Sequence, residues 1–147
     1  MEQKFMKKAL ALAAQAFEAD EVPIGAVIVK DGKVLASAFN KREKSHDATA
    51  HAEILAIQKA CKKVGDFRLA DCDIYVSLEP CTMCMGAILN ARIKNLYFGA
   101  YASKQNVLSS AEINERAGLN HKTNIVGGVM QKEAEELVKK YFALKRK

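Results

Sequence analysis

Two short motifs constrain this chain more than any other feature: His51-Ala52-Glu53, and Pro80-Cys81-Thr82-Met83-Cys84, with 29 residues between His51 and Cys81. Residues two apart on a helix do not face one another, so His51 and Glu53 cannot share a site on a helix flank. They can share one off its N-terminal end, because helical side chains lean back toward the N-terminus. Thr49 as N-cap, followed by an apolar stripe of Ile54, Ile57, Cys61 and Val64, predicts such a helix. Pro80 suits the start of a second helix, with Cys81 and Cys84 in its opening turn. A helix N-terminus also favours the thiolate form of cysteine. The fold must therefore bring two helix starts together.

His51, Cys81 and Cys84 are three metal ligands, and Glu53 is a carboxylate held in reserve. Structural zinc sites usually use four protein ligands, whereas catalytic ones use three and leave a position for water. Three ligands plus a free acid is the pattern of a metal-activated water with a proton carrier beside it. A C-x-x-C pair alone is weak evidence, since redox motifs and zinc knuckles share it. The joint pattern, with proline directly before the first cysteine, is far more specific. Two other readings compete: a buried histidine with two core thiols, or a structural zinc site closed by Glu79 or Cys72.

The rest of the chain supplies alternating elements. Residues 3 to 19 form an amphipathic helix with Met6, Leu10, Ala13 and Phe17 on one face. Strands follow at 24–29, apolar enough to be buried on both faces, and at 33–39, joined by a two-residue Asp31-Gly32 hairpin. A polar loop over 40–48 leads to the His51 helix, which ends near Gly65. Then come a strand at 72–78, the second metal helix at 81–91 and a strand at 94–100. Residues 101 to 123 read as loop with a short helix. A short strand at 124–128 precedes a last helix from 129 to about 145, striped by Met130, Ala134, Leu137, Val138, Tyr141 and Phe142. This order implies one α/β domain over residues 1–147, a three-layer α/β/α sandwich around a mixed five-stranded sheet. Ligands of such open sheets bind at the carboxyl ends of the strands, where both metal helices begin.

No apolar run approaches the length of a membrane span, and Glu2, Lys4, Lys7 and Lys8 exclude a secretory core at the start. Cys61 and Cys72 read as core thiols, which points to a reducing, cytoplasmic setting. The chain carries 23 basic and 17 acidic residues, a net charge of +6. Lys41, Arg42 and Lys44 cluster before the histidine, and Lys139, Lys140, Lys145, Arg146 and Lys147 crowd the C-terminus. Such clustering favours a nucleic-acid partner over an evenly solvated surface.

The chain resembles the bacterial tRNA-specific adenosine deaminases of the cytidine-deaminase-like superfamily over nearly its whole length. The resemblance rests on Glu21 to Val27, Asn40, His46 to Glu53, Leu78 to Cys84, Phe98-Gly99-Ala100 and Gly118 to His121. It implies one Zn2+ per chain on His51, Cys81 and Cys84, with Glu53 as proton shuttle. It also implies that Asn40 hydrogen-bonds the purine, that Val22, Leu78 and Phe98 wall the pocket, and that Lys104, Phe142 and Arg146 touch the anticodon stem-loop. A homodimer follows from the resemblance alone. One segment departs from the family: Tyr101-Ala102 stand where an acidic residue often contacts the sugar.

The implied reaction is hydrolysis of adenosine to inosine at the wobble position, on a loop whose unstacked base is cheap to extrude. Two rivals remain at this stage. One is a deaminase of a free purine such as guanine. The other is a zinc-stabilised RNA-binding module without activity, against which the free acid Glu53 argues.

Overall fold

Strand β1 (Gly25–Lys30) pairs antiparallel with β2 (Lys33–Phe39) on one side and β3 (Cys72–Leu78) on the other. The computed structural model describes residues 1–102, 106, 108–118 and 120–145. Strands β4 (Asn95–Ala100) and β5 (Asn124–Val126) continue the sheet in parallel, giving the order β2-β1-β3-β4-β5. The sheet is thus mixed and five-stranded. Asp31 and Gly32 both take positive φ, the geometry of a tight hairpin that keeps the strand twist.

Alternation along the strands divides the core into two faces. Ala26, Ile28, Ile74, Val76, Leu96 and Phe98 face α3 (Ala52–Val64), α4 (Thr82–Asn90) and α5 (Ser110–Arg116). Val27, Val29, Tyr75 and Tyr97 face α1 (Gln3–Glu18), which packs through Phe5, Met6 and Ala9. Helix α6 (Gln131–Lys145) lies on the α1 side, where Phe17 meets Tyr141 edge-on. Its approach to β4 depends on Gly99, since a Cβ there would fall 2.8 Å from that of Ala134. The expected three layers are present.

Three local expectations are corrected. The 40–48 segment is not all loop, because it contains the single-turn helix α2 (Arg42–Ser45). Thr49 does not cap α3: its N–H and hydroxyl both bind the Asp47 carboxylate, and His51 occupies the N-cap position. The residues that α3 buries most deeply are Ala52, Glu53, Ala56 and Ala60, not the stripe of larger apolar residues. Small side chains let α3 lie close on β1 and β2, and Leu55, Ile57, Cys61 and Val64 fill the rim of that contact. Gly65 ends the helix with a left-handed turn, as its sequence position predicts.

Candidate active site

Both metal motifs sit at helix starts. His51 is the N-cap residue of α3 and Cys81 that of α4, so each side chain projects from a helix end whose first N–H groups are free of intrahelical partners. Cys84 is fully buried in the first turn of α4. His51 Nδ1 lies 3.7 Å from Cys81 Sγ and 3.6 Å from Cys84 Sγ, and the three ligand atoms all fall within 4.8 Å of one another.

Those distances fit a metal. A tetrahedral zinc with bonds of about 2.1 Å to nitrogen and about 2.3 Å to sulfur separates N from S by about 3.6 Å. Glu79 and Cys72, the alternative fourth ligands, are not in the group. Cys72 opens β3 at the opposite end of the strand, and both Glu79 carboxylate oxygens accept hydrogen bonds elsewhere. Among the described residues no fourth protein donor joins the three.

Glu53 follows His51 by two residues and is 2% exposed, with its Oε1 fully buried and lacking any hydrogen-bond partner among the described residues. Burial pushes its carboxyl up to about 7, against a backbone hydrogen bond that lowers it. The Cys81 thiol is pulled down to about 4, first by a hydrogen bond from Cys84, with His51 adding to the effect and burial opposing it. Cys84, which donates that bond, is pushed up, and burial adds to the shift. The His51 imidazole is raised by its hydrogen bond to Cys81. A buried carboxyl with an unoccupied oxygen, beside convergent soft donors, is suited to taking and returning a proton at that oxygen.

Asn40 is buried at the end of β2, where its Oδ1 accepts the Ala52 N–H at 2.8 Å. That bond caps α3 from a distance of twelve residues. It also assigns the amide: with Oδ1 on the helix, Nδ2 is left as a donor with no protein partner among the described residues. Leu78 is buried next to Glu79, and Val22 is half-buried against the same core. Phe98 lines a cavity of about 500 Å3 with Glu79, Tyr101, Asn106, Ile125 and Gly127, and the lining includes none of the three ligand candidates. Tyr101 packs edge-on against Phe98 at 5.0 Å and lines that cavity, and the buried Ala102 donates its N–H to Glu79. Phe142 is half-buried on α6 against Tyr141. Lys104 and Arg146 lie outside the described residues.

Two carboxylates named in the sequence analysis, Glu79 as a possible ligand and Glu21 within the family resemblance, have structural roles that it did not foresee. Glu79 accepts from Ala102 N at 3.1 Å and from Ser110 N and Oγ at 2.9 and 2.6 Å. Glu21 accepts from Glu43 N at 3.0 Å and Lys44 N at 2.8 Å. Neither sequence neighbourhood announces these long-range partners. The Ser109/Glu112 capping box that starts α5 was also missed, although its S-x-x-E spacing is a signal that could have found it.

A fold of this kind with a histidine, two cysteines and a free glutamate at converging helix starts is that of a zinc-type deaminase. The family model of the MafB19-like deaminases matches residues 1–134. The tRNA-specific adenosine deaminase of Agrobacterium fabrum is 43% identical over 97% of this chain and 94% of its own length. A solved structure from work on A-to-I editing by tRNA:A34 deaminases at the wobble position is 43% identical, with a TM-score of 0.88 over 92% of this chain and 99% of that one. The guanine deaminase of Bacillus subtilis is 37% identical but superposes less well, with a TM-score of 0.68 over 86% of this chain and 84% of its own. The chain belongs to the tRNA-specific adenosine deaminase family.

Proposed function

We infer that this protein hydrolyses adenosine to inosine, with release of ammonia, at the wobble position of a tRNA anticodon. The observation that carries the chemistry is Glu53: a fully buried carboxylate oxygen without a hydrogen-bond partner among the described residues, set beside three convergent metal donors. The substrate follows from family membership and from relatives that are themselves tRNA-specific adenosine deaminases. His51, Cys81 and Cys84 would hold one zinc, which when bound supplies a Lewis acid that makes water nucleophilic at neutral pH.

The chain's own residues account for the proton traffic and the orientation of the base. Glu53 Oε1 takes a proton from the attacking water and delivers one to the ring nitrogen beside the reacting carbon. It then takes the remaining proton from the oxygen added to that carbon and passes it to the departing amine, so water and adenosine give inosine and ammonia with atoms balanced. Asn40, its carbonyl oxygen held on Ala52, presents Nδ2 as a donor to an acceptor on the purine. Val22, Leu78 and Phe98 would contribute apolar wall to the site, and Lys104, Phe142 and Arg146 would contact the stem-loop. A homodimer is expected, and sedimentation at micromolar concentration checks it. None of the described helices is long and apolar enough to cross a membrane. A tRNA substrate and four free cysteines support a cytoplasmic site of action.

The decisive assay follows inosine formation in an anticodon stem-loop bearing a wobble adenosine, beside free guanine and free cytidine. Conversion of the stem-loop alone is expected. Ammonia from guanine with none from the stem-loop would overturn the reading in favour of a free-base deaminase.

A further inference from the structure

Residues 41 to 49 are all exposed, so no core contact holds the segment that joins Asn40 to His51. Its path is set by hydrogen bonds. Its base is closed by Lys41 N on Ala50 O at 3.0 Å, and Asn40 N binds Ile24 O at 3.1 Å. Within it, α2 has only four residues, no side-chain N-cap and no buried residue. An isolated helical turn of that length does not persist in water. What replaces the missing cap is Glu21, from the far side of the chain.

Glu21 follows the end of α1 and is 1% exposed, with its own N–H on Ala16 O at 2.9 Å. Its two carboxylate oxygens accept the N–H groups of Glu43 and Lys44, in the first turn of α2. Among the described residues no cation pairs with this carboxylate. Burying an unpaired carboxylate is costly unless hydrogen bonds replace its water, and the helix-start N–H groups do so here. Both oxygens are thereby occupied, so Glu21 is not available to a base. The loop it pins carries Lys41, Arg42 and Lys44, which have no carboxylate partner among the described residues.

We propose that Glu21 is a positioning residue: its buried carboxylate anchors the exposed 41–49 loop to the core, and so holds the loop's cations beside a polyanionic strand entering between Asn40 and His51. The inference rests on the tRNA reading above for its substrate, though not for the anchoring itself. Glu21 acts on substrate capture and not on proton transfer. Loss of the anchor raises KM and leaves kcat nearly alone.

The test compares the zinc-loaded wild type with Glu21→Gln, which keeps one acceptor oxygen, and Glu21→Ala, which keeps none. On the wobble-adenosine stem-loop, Glu21→Ala is expected to raise KM roughly tenfold, the equivalent of one charge-assisted hydrogen bond. Its kcat stays within about twofold and its zinc content is unchanged, with Glu21→Gln falling between it and the wild type. Hydrogen exchange should quicken at residues 41 to 49 in the same order, while β3 keeps its protection. A merely structural loss would lower protection in β3 as well and would not divide KM from kcat. Wild-type exchange at 41 to 49 in either variant, or a fall in kcat at constant KM, would overturn the proposal. If Glu21→Ala does not fold, Glu21→Gln carries the test through exchange and KM. A wild type that forms no inosine would refute the substrate reading, while the exchange comparison would still decide whether Glu21 anchors the loop.

Discussion

Glu53 and Glu79 are buried glutamates, one in each of the two metal motifs' neighbourhoods, and their surroundings are opposite in kind. At the start of α3, Glu53 has a buried oxygen with no hydrogen-bond partner among the described residues. At the end of β3, Glu79 has both oxygens engaged by Ala102 and Ser110. The same side chain therefore costs stability in one place and supplies it in the other. An unsatisfied buried acid is tolerated where chemistry needs it, and a satisfied one ties the segment after β4 and the start of α5 to the residue before Pro80.

The sharpest way to break this contrast is to neutralise both acids identically. Glu53→Gln should cut turnover on the stem-loop by about a thousandfold or more, in line with loss of a general acid-base, while zinc content stays constant. A loss of zinc in proportion to activity would make Glu53 a ligand and erase the distinction. Cys84→Ala should weaken zinc retention by more than about a hundredfold, larger than the effect of changing a group that only supports a ligand. Metal analysis of protein purified without chelator checks this against about one zinc per chain in the wild type.

Stability should move in opposite directions for the two glutamates. Glu79→Gln places an amide N–H2 against backbone donors and should cost about 2 kcal/mol in urea unfolding. Glu53→Gln removes an unsatisfied buried carboxyl and should leave the metal-free protein as stable or about 1 kcal/mol more so. Equal losses from both would show that Glu53 has an unrecognised structural partner. The smallest effect lies farthest from either acid. Removing residues 143 to 147 deletes Lys145, Arg146 and Lys147 and should weaken stem-loop binding severalfold, lowering the salt slope by about 2 with zinc unaffected.

The metal group was readable from sequence because its determinants are local: a proline, two cysteines at i and i+3, and a histidine two before an acid at a helix start. Strand and helix order was readable for the same reason, since apolar periodicity and the Asp31-Gly32 turn are short-range signals. The buried face of α3 was misread because sequence ranks residues by hydrophobicity. Packing distance instead selected Ala52, Ala56 and Ala60. The Thr49 cap was misread because Asp47 competes for the same hydroxyl at 2.7 Å.

What the sequence by itself determined was the donor set, the acid beside it and the layer order that brings two helix starts to one sheet edge. Tertiary structure decided which polar groups are spent and which are free. Asn40 gives its oxygen to Ala52, Glu21 gives both of its oxygens to Glu43 and Lys44, Glu79 gives its own to Ala102 and Ser110, and Glu53 keeps one uncommitted. The three committed side chains bond to partners 12 to 31 residues away along the chain. Hydrogen-bond satisfaction across such spans has no periodic or composition signal, because it depends on where the folded backbone leaves an N–H without a carbonyl.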